Sequence, residues 1–240
     1  MSHITSAYDR DLEAVEVLIT RMGGLVEQAI LNAASALEAQ DEEAAQEVRR
    51  ADRAIDALED RLNDEAARII ALRAPTAIDL RVILGVIKIS GNLERIGDYA
   101  KNMAKRTTVL TGMPQVAGGT AALRCMAREV QRLLKDALDA YVRRDVDLAR
   151  DVLLRDAEID QMYNAVFREL LTFMLEDTRS ITPCMHLHFI AKNTERMGDH
   201  VTAIAEQVIY MVTGEHPDED RPKDDRTSVD TGVSADIPGT

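Results

Sequence analysis

The segment Asn92-Leu93-Glu94-Arg95-Ile96-Gly97-Asp98 returns about a hundred residues later as Asn193-Thr194-Glu195-Arg196-Met197-Gly198-Asp199, with five of seven positions identical. A self-match at that distance marks a tandem repeat, so the chain must fold as two copies of one unit. Each copy places two carboxylates four residues apart with a glycine between them. On a helix such residues lie on one face. A glycine inside a helix costs roughly 0.5–1 kcal/mol relative to alanine. Its recurrence at the same place in both copies predicts a point of close approach.

The apolar spacing is helical throughout. Leu12, Val15, Ile19, Met22, Val26, Ala29, Ala33 and Leu37 step by three and four, which predicts a long helix over 6–40 after a short flexible lead. Asp41 is placed to cap a second helix over 41–72, with Glu42 and Glu43 in its first turn. Its seam reads Ala45, Val48, Asp52, Ile55, Glu59, Leu62, Ala66 and Ile69, so two acids fall on a line that should be apolar. Pro75 ends it, and a third helix follows to about Leu110. The segment 111–120 is a linker, after which the plan repeats. Met126, Val130, Leu134, Ala137 and Tyr141 copy the first helix. Asp145 takes the place of Asp41, and Ala149, Val152, Asp156, Ile159, Tyr163, Val166 and Leu170 copy the second seam. A break over 178–183 precedes the last helix. The expected fold is all-α: two tandem three-helix bundles, over 6–110 and 118–214, joined by short connections that make neighbours antiparallel. The segment 215–240 is rich in Asp, Pro, Ser, Thr and Gly and reads as a disordered acidic tail.

Composition narrows the partners. Among the 240 residues 46% are hydrophobic but only 3% aromatic, suited to helix packing by aliphatics and alanine. A net charge of −13 argues against a nucleic-acid backbone as partner. Cys125 and Cys184 alone make no disulfide framework and match no zinc pattern. No apolar run is long enough to span a bilayer, so membrane association is expected only through partners. No nucleophile and base pair, and no Gly-rich phosphate loop, is present; the chain reads as a non-enzymatic protein.

The acids carry the chemistry. The second helix of each half supplies an Asp-x-x-x-Asp pair, Asp52 with Asp56 and Asp156 with Asp160; the third supplies Glu94 with Asp98 and Glu195 with Asp199. One such pair alone is usually a solvated face. Doubled and partly on the seam, they predict four carboxylates converging in each half. Like charges brought together raise one another's pKa and need compensation. Either a hard cation such as Mg, Mn, Fe or Ca supplies it, or Arg53, Arg81, Arg95 and Arg196 do. Asp60 and Glu59 are weaker candidates, since Asn164 and Tyr163 replace them in the second half. A di-iron oxidase would need Glu-x-x-His motifs. None of His3, His186, His188, His200 and His216 follows a Glu at that spacing in either site; His200 reads as a packing residue.

These residues resemble the PhoU family, accessory proteins of bacterial phosphate-specific transport and negative regulators of the phosphate-starvation response. The two Glu-Arg-Ile/Met-Gly-Asp segments carry the resemblance. So do Met22-Gly23-Gly24-Leu25-Val26-Glu27, Pro75-Thr76-Ala77-Ile78-Asp79-Leu80-Arg81 and Met174-Leu175-Glu176-Asp177-Thr178-Arg179-Ser180-Ile181. The similarity runs from about Tyr8 to about Gly214. It implies two three-helix bundles in a cytoplasmic homodimer, peripheral to the inner membrane through its partners. Those partners are the ATP-driven phosphate importer and the sensor histidine kinase, whose response it represses when phosphate is sufficient. In some members it implies metal, here Fe, Mn, Zn or Mg on Asp52, Asp56, Glu94, Asp98, Asp156, Asp160, Glu195 and Asp199. The second half lacks a counterpart of the Pro75–Arg81 segment, so Asp79 and Arg81 are expected to serve one bundle. The competing expectation from another class is a carboxylate-rich protein that binds or stores metal.

Overall fold

The computed structural model describes residues 2–116 and 118–217. Six long helices account for nearly all of them: α1 (Ser2–Ala39), α2 (Glu42–Arg73), α3 (Ile78–Leu110), α4 (Gly119–Arg143), α5 (Val146–Glu176) and α6 (Ile181–Thr213). A single 3-10 turn, Thr178–Ser180, separates α5 from α6, and no strand occurs among the described residues. The expected tail lies outside them from residue 218 onward. The expected lead is absent: α1 runs back to Ser2, because a formed helix propagates cheaply until a breaker stops it, and none stands there.

The repeat is visible in the caps. Asp41 accepts a hydrogen bond from the Ala44 amide and Asp145 from the Leu148 amide, each at 3.0 Å. Each satisfies one of the amides that a helix start leaves unpaired. The residue before each cap is left-handed, Gln40 at φ 51° and Arg144 at φ 56°, so both halves turn from their first helix into their second in the same way. The second break is shorter than expected. Asp177 accepts from the Arg179 amide, and α6 already begins at Ile181, with Pro183 in its first turn. Proline is tolerated there because amides of the first turn have no partner within the helix.

Four helices, α1, α3, α4 and α6, form the centre. The α2 helix lies against α1 and α3, and α5 against α4 and α6. The central pairs are antiparallel. Arg81 near the start of α3 donates to the Tyr210 carbonyl near the end of α6 at 3.4 Å. Arg106 near the end of α3 meets His186 near the start of α6 at 3.2 Å. Along α1 and α4, Gln131 Nε2 donates to Glu27 Oε2 at 2.6 Å and Arg124 pairs with Glu38. The buried side chains form one continuous core through both bundles. Fully buried residues such as Ile19, Met22 and Ile30 contribute roughly 1.5–3 kcal/mol each.

Close packing explains one glycine of the Gly23-Gly24 pair. Gly23 is buried where α4 crosses, and a Cβ there would run into Leu138; around Gly24 there is open space. The α2 seam differs from the expected one at a single step: Leu58 is buried and Glu59 only half so. Because α2 packs against two helices, its apolar face is wider than one line of side chains.

The first turns of α1 are tied to the end of α2. Asp11 pairs with Arg68 at 2.9 Å and with Arg73 at 3.0 Å. The hydrogen bond from Arg68, then that from Arg73, holds the Asp11 carboxyl below its ordinary pKa despite an opposing effect of burial. A carboxyl lowered in this way stabilises the fold above its unfolded pKa, near 4, and loses that contribution as pH falls through the folded value. Asp11→Asn is expected to lower Tm by about 2 °C at neutral pH. The gap from the native chain should close in scans below about pH 4.

Candidate functional site

In the first bundle the acids stand on facing sides of α2 and α3. Asp52, on the apolar seam of α2, is 4% exposed. Gly97 of α3 packs directly opposite: a Cβ there would stand 3.1 Å from Ile55 Cδ1 and 3.6 Å from Asp52 Oδ1. The recurrent glycine therefore admits side chains of the neighbouring helix. Asp56 is one turn further along α2. Burial, and then the charge of Asp52, raises its carboxyl above the ordinary value, with Asp98 and Asp60 adding and Lys101 opposing. Glu94 is pushed up to about 7, first by burial and then by the charge of Asp98, with Glu59 adding and Arg95 opposing. The structure thus places Asp52 and Asp56 of α2 within electrostatic reach of Asp98 and Lys101 of α3, with Asp60 adding charge, and Glu94 beside Asp98, with Glu59 adding charge.

The compensating cation is one the sequence reading did not name. Lys101 of α3 pairs with Asp52 and, at 3.4 Å, with Asp98; the Asp52 carboxylate beside it raises the lysine pKa. Of the arginines expected to do this, Arg53 and Arg196 are exposed. Arg81 is committed to the Tyr210 carbonyl of α6, so it joins the two bundles. Arg95 reaches Glu94 and Asp98 only at 3.6 and 3.7 Å, from a solvated position. The missed signal was the i, i+3 spacing of Asp98 and Lys101, obscured because the second half has Thr202 there.

The second bundle repeats the plan with different neighbours. Asp156 and Asp160 of α5 are 8% and 7% exposed, and Glu195 of α6 is 7% exposed. A Cβ on Gly198 would stand 2.9 Å from Asp156 Oδ1 and 3.5 Å from Ile159 Cγ2. Asp199 follows one residue later, and the Thr202 hydroxyl donates to its carbonyl at 2.7 Å. Asn164 and Tyr163, both buried, take the places of Asp60 and Glu59. Lys192 pairs with Glu195 at 2.9 Å and lies 5.0 Å over the Tyr163 ring.

The histidines pack elsewhere. His200 lies with Nδ1 2.8 Å from Asn92 Oδ1 and its ring 5.7 Å from Tyr99, joining α6 to α3. His188 stacks on Tyr163 and meets Phe167 with its ring tilted by 50°, and His186 faces Arg106. Both cysteines are free thiols.

Among the described residues, no three His, Cys, Asp or Glu side chains are gathered as a set of metal ligands. In each cluster a lysine pairs with a buried acid, Lys101 with Asp52 and Lys192 with Glu195, and the candidate donors, Asp52, Asp56, Glu94 and Asp98 in the first and Asp156, Asp160, Glu195 and Asp199 in the second, are all carboxylates, the chemistry that hard cations take.

Gly198→Ala must displace the buried Asp156 carboxylate. The overpacking, about 1–3 kcal/mol, outweighs a helix-propensity gain of about 1 kcal/mol, and Tm is expected to fall by about 2–4 °C. Gly24→Ala, with open space around it, should raise Tm instead; thermal melts of the two variants check the pair.

A family model described as the PhoU domain matches the chain twice, over residues 19–107 and 123–208, once in each bundle. The phosphate-specific transport system accessory protein PhoU homolog of Rhizobium meliloti (strain 1021) is 45% identical over 227 residues, 95% of this chain and 96% of the relative. The crystal structure of PhoU from Pseudomonas aeruginosa superposes with a TM-score of 0.83 at 39% identity, over 87% of this chain and all of that one. That of the phosphate transport system regulatory protein PhoU from Streptococcus pneumoniae gives 0.80 at 28% identity, over 88% and 99%.

Proposed function

The chain belongs to the PhoU family, and on that premise we propose that it is a non-enzymatic regulator that couples phosphate import to phosphate-starvation signalling. The observation that carries this is the end-to-end match. Relatives that are accessory or regulatory proteins of phosphate transport align over nearly their whole length and over nearly all of this chain. The role is regulatory rather than catalytic, as theirs is.

The finer reading is that it contacts the ATP-driven phosphate importer and the sensor histidine kinase, and that it acts as a homodimer. It would do so in the cytoplasm, reaching the membrane through those partners. No helix among the described residues is long and apolar enough to cross a bilayer. The net charge of −13 favours basic protein surfaces over nucleic acid. Two bundles set antiparallel present long polar helix faces on α2 and α5 to separate partners.

Deleting the gene is expected to switch on starvation genes in high phosphate, read as secreted alkaline phosphatase, or to be toxic through unrestrained uptake. Restoring the gene should reverse it. Phosphatase and phosphate uptake both at normal levels in the deletion strain would refute the coupling.

The second cluster supports one addition. We propose that Asp156, Asp160, Glu195 and Asp199 hold a metal ion, Fe, Mn, Zn or Mg: all four are carboxylates, donors that such ions take, and Asp156, Asp160 and Glu195 are buried on α5 and α6. Asp156→Asn with Asp199→Asn should lower bound Mn2+ by at least half in equilibrium dialysis; unchanged binding would place the ion elsewhere.

A further inference from the structure

We infer that the groove between α1 and α2 is a docking site for an arginine side chain carried on a basic segment of a partner protein, which takes there the place that Arg155 takes within the second bundle. The groove encloses about 400 Å3. Ala36, Val48 and Ile55 are its buried lining, and Gln28, Asn32, Glu47 and Ala51 stand exposed around it. Met22, Asp41 and Asp52 are spaced as Met126, Asp145 and Asp156 are, so each lining residue has a counterpart on α4 or α5. Arg155 stands at the position of Ala51. Its guanidinium pairs with Asp136 at 2.7 Å, Asp151 at 3.2 Å and Glu129 at 3.3 Å. Those three acids stand at the positions of Asn32, Glu47 and Leu25, and all four positions line the groove of the first bundle. Leu133 and Leu148 take the places of Ala29 and Ala44, so the second groove is filled from within where the first is open.

The lining chemistry selects the occupant. Asp41 and Glu47 are acidic, and none of the lining residues is basic. Asp41 is engaged in capping α2, so Glu47 is the carboxylate that meets a partner. Asn32, on the other helix, adds an amide oxygen. An arginine lays its aliphatic stem on apolar surface while its planar fork reaches two acceptors, as Arg155 does with Asp136 and Asp151. An aliphatic side chain in the same place would cover Glu47 and Asn32 with hydrocarbon, which is costly. The lining spans residues 25–39 of α1, roughly 20 Å of helix. That is longer than one side chain, so the arginine comes on a polypeptide segment. As a contact of the proposed regulator, the docking site rests on that role, but its binding chemistry is measured apart from it.

The probe is a fluorescein-labelled helical peptide of alanine and glutamine with arginines seven residues apart. It is titrated with the full chain at physiological ionic strength and read by anisotropy. The same peptide with glutamine for arginine is expected to bind about tenfold more weakly. Leu25→Glu, Asn32→Asp and Ala51→Arg together rebuild the second bundle's network in the first. They leave the chain more acidic than before, yet the arginine peptide is expected to lose about tenfold in affinity. Ala51→Leu, at an exposed position, fills the groove without charge and should cost about threefold. Glu47→Gln should weaken binding more than Asp64→Asn, which removes an equal charge from α2 outside the groove. Native affinity in the triple variant or in Ala51→Leu, or equal binding of the two peptides, overturns the docking site. So does a native chain that binds neither peptide. If sedimentation equilibrium shows that Ala51→Leu dissociates a native dimer, a second copy fills the groove and the basic partner is refuted. Groove-dependent binding beside normal phosphatase and uptake in the deletion strain would refute the regulatory role alone.

Discussion

The antiparallel packing of α3 on α6 is the contact on which the rest of the molecule depends. Each helix serves its own bundle on one side and the other bundle on the next, so each buries a face wider than an ordinary amphipathic stripe. Gly85 of α3 lets Met211 of α6 lie against the backbone. Polar side chains then fix the alignment along the whole length: Arg81 on the Tyr210 carbonyl, His200 on Asn92 and Arg106 on His186. Because these two helices also carry the Glu-Arg-x-Gly-Asp segments, the acidic clusters are built on the most constrained part of the fold. A change at either cluster is therefore well placed to be felt by the other bundle.

The clusters themselves follow from putting an aspartate where an aliphatic belongs. Asp52 and Asp156 sit on seams otherwise made of Ala, Val, Ile and Leu. The opposing glycine makes room for them but does nothing for their charge. In the first bundle Lys101 of α3 pairs with Asp52 and Asp98, and in the second Lys192 of α6 pairs with Glu195. Both halves share one backbone plan, and each brings a lysine to its acids from a different position of the helix.

A regulator of this kind works through surfaces and through the relative stability of its parts. In the first bundle Lys101 balances part of the acidic cluster, while Glu94, pushed up to about 7 by burial and by the charge of Asp98, changes its charge near neutral pH.

Much was legible in the sequence because the signals are local. The three-four spacing of Val15, Ile19, Met22 and Val26, the caps at Asp41 and Asp145, the stop at Pro75 and the repeated Glu-Arg-x-Gly-Asp segment each act within a few residues. They determined six helices in two like halves. The same spacing put Asp52, Asp56, Glu94 and Asp98 on faces that had to meet, and the glycine marked where. What it did not determine was which residue balances those charges, or how far each acid is buried. Arg95 lies closest in sequence to Glu94 and points to solvent, while Lys101 reaches inward. Only the tertiary structure decides this, because burial and ion pairing depend on which side chain the neighbouring helix brings within reach, and no periodicity along one chain segment records that.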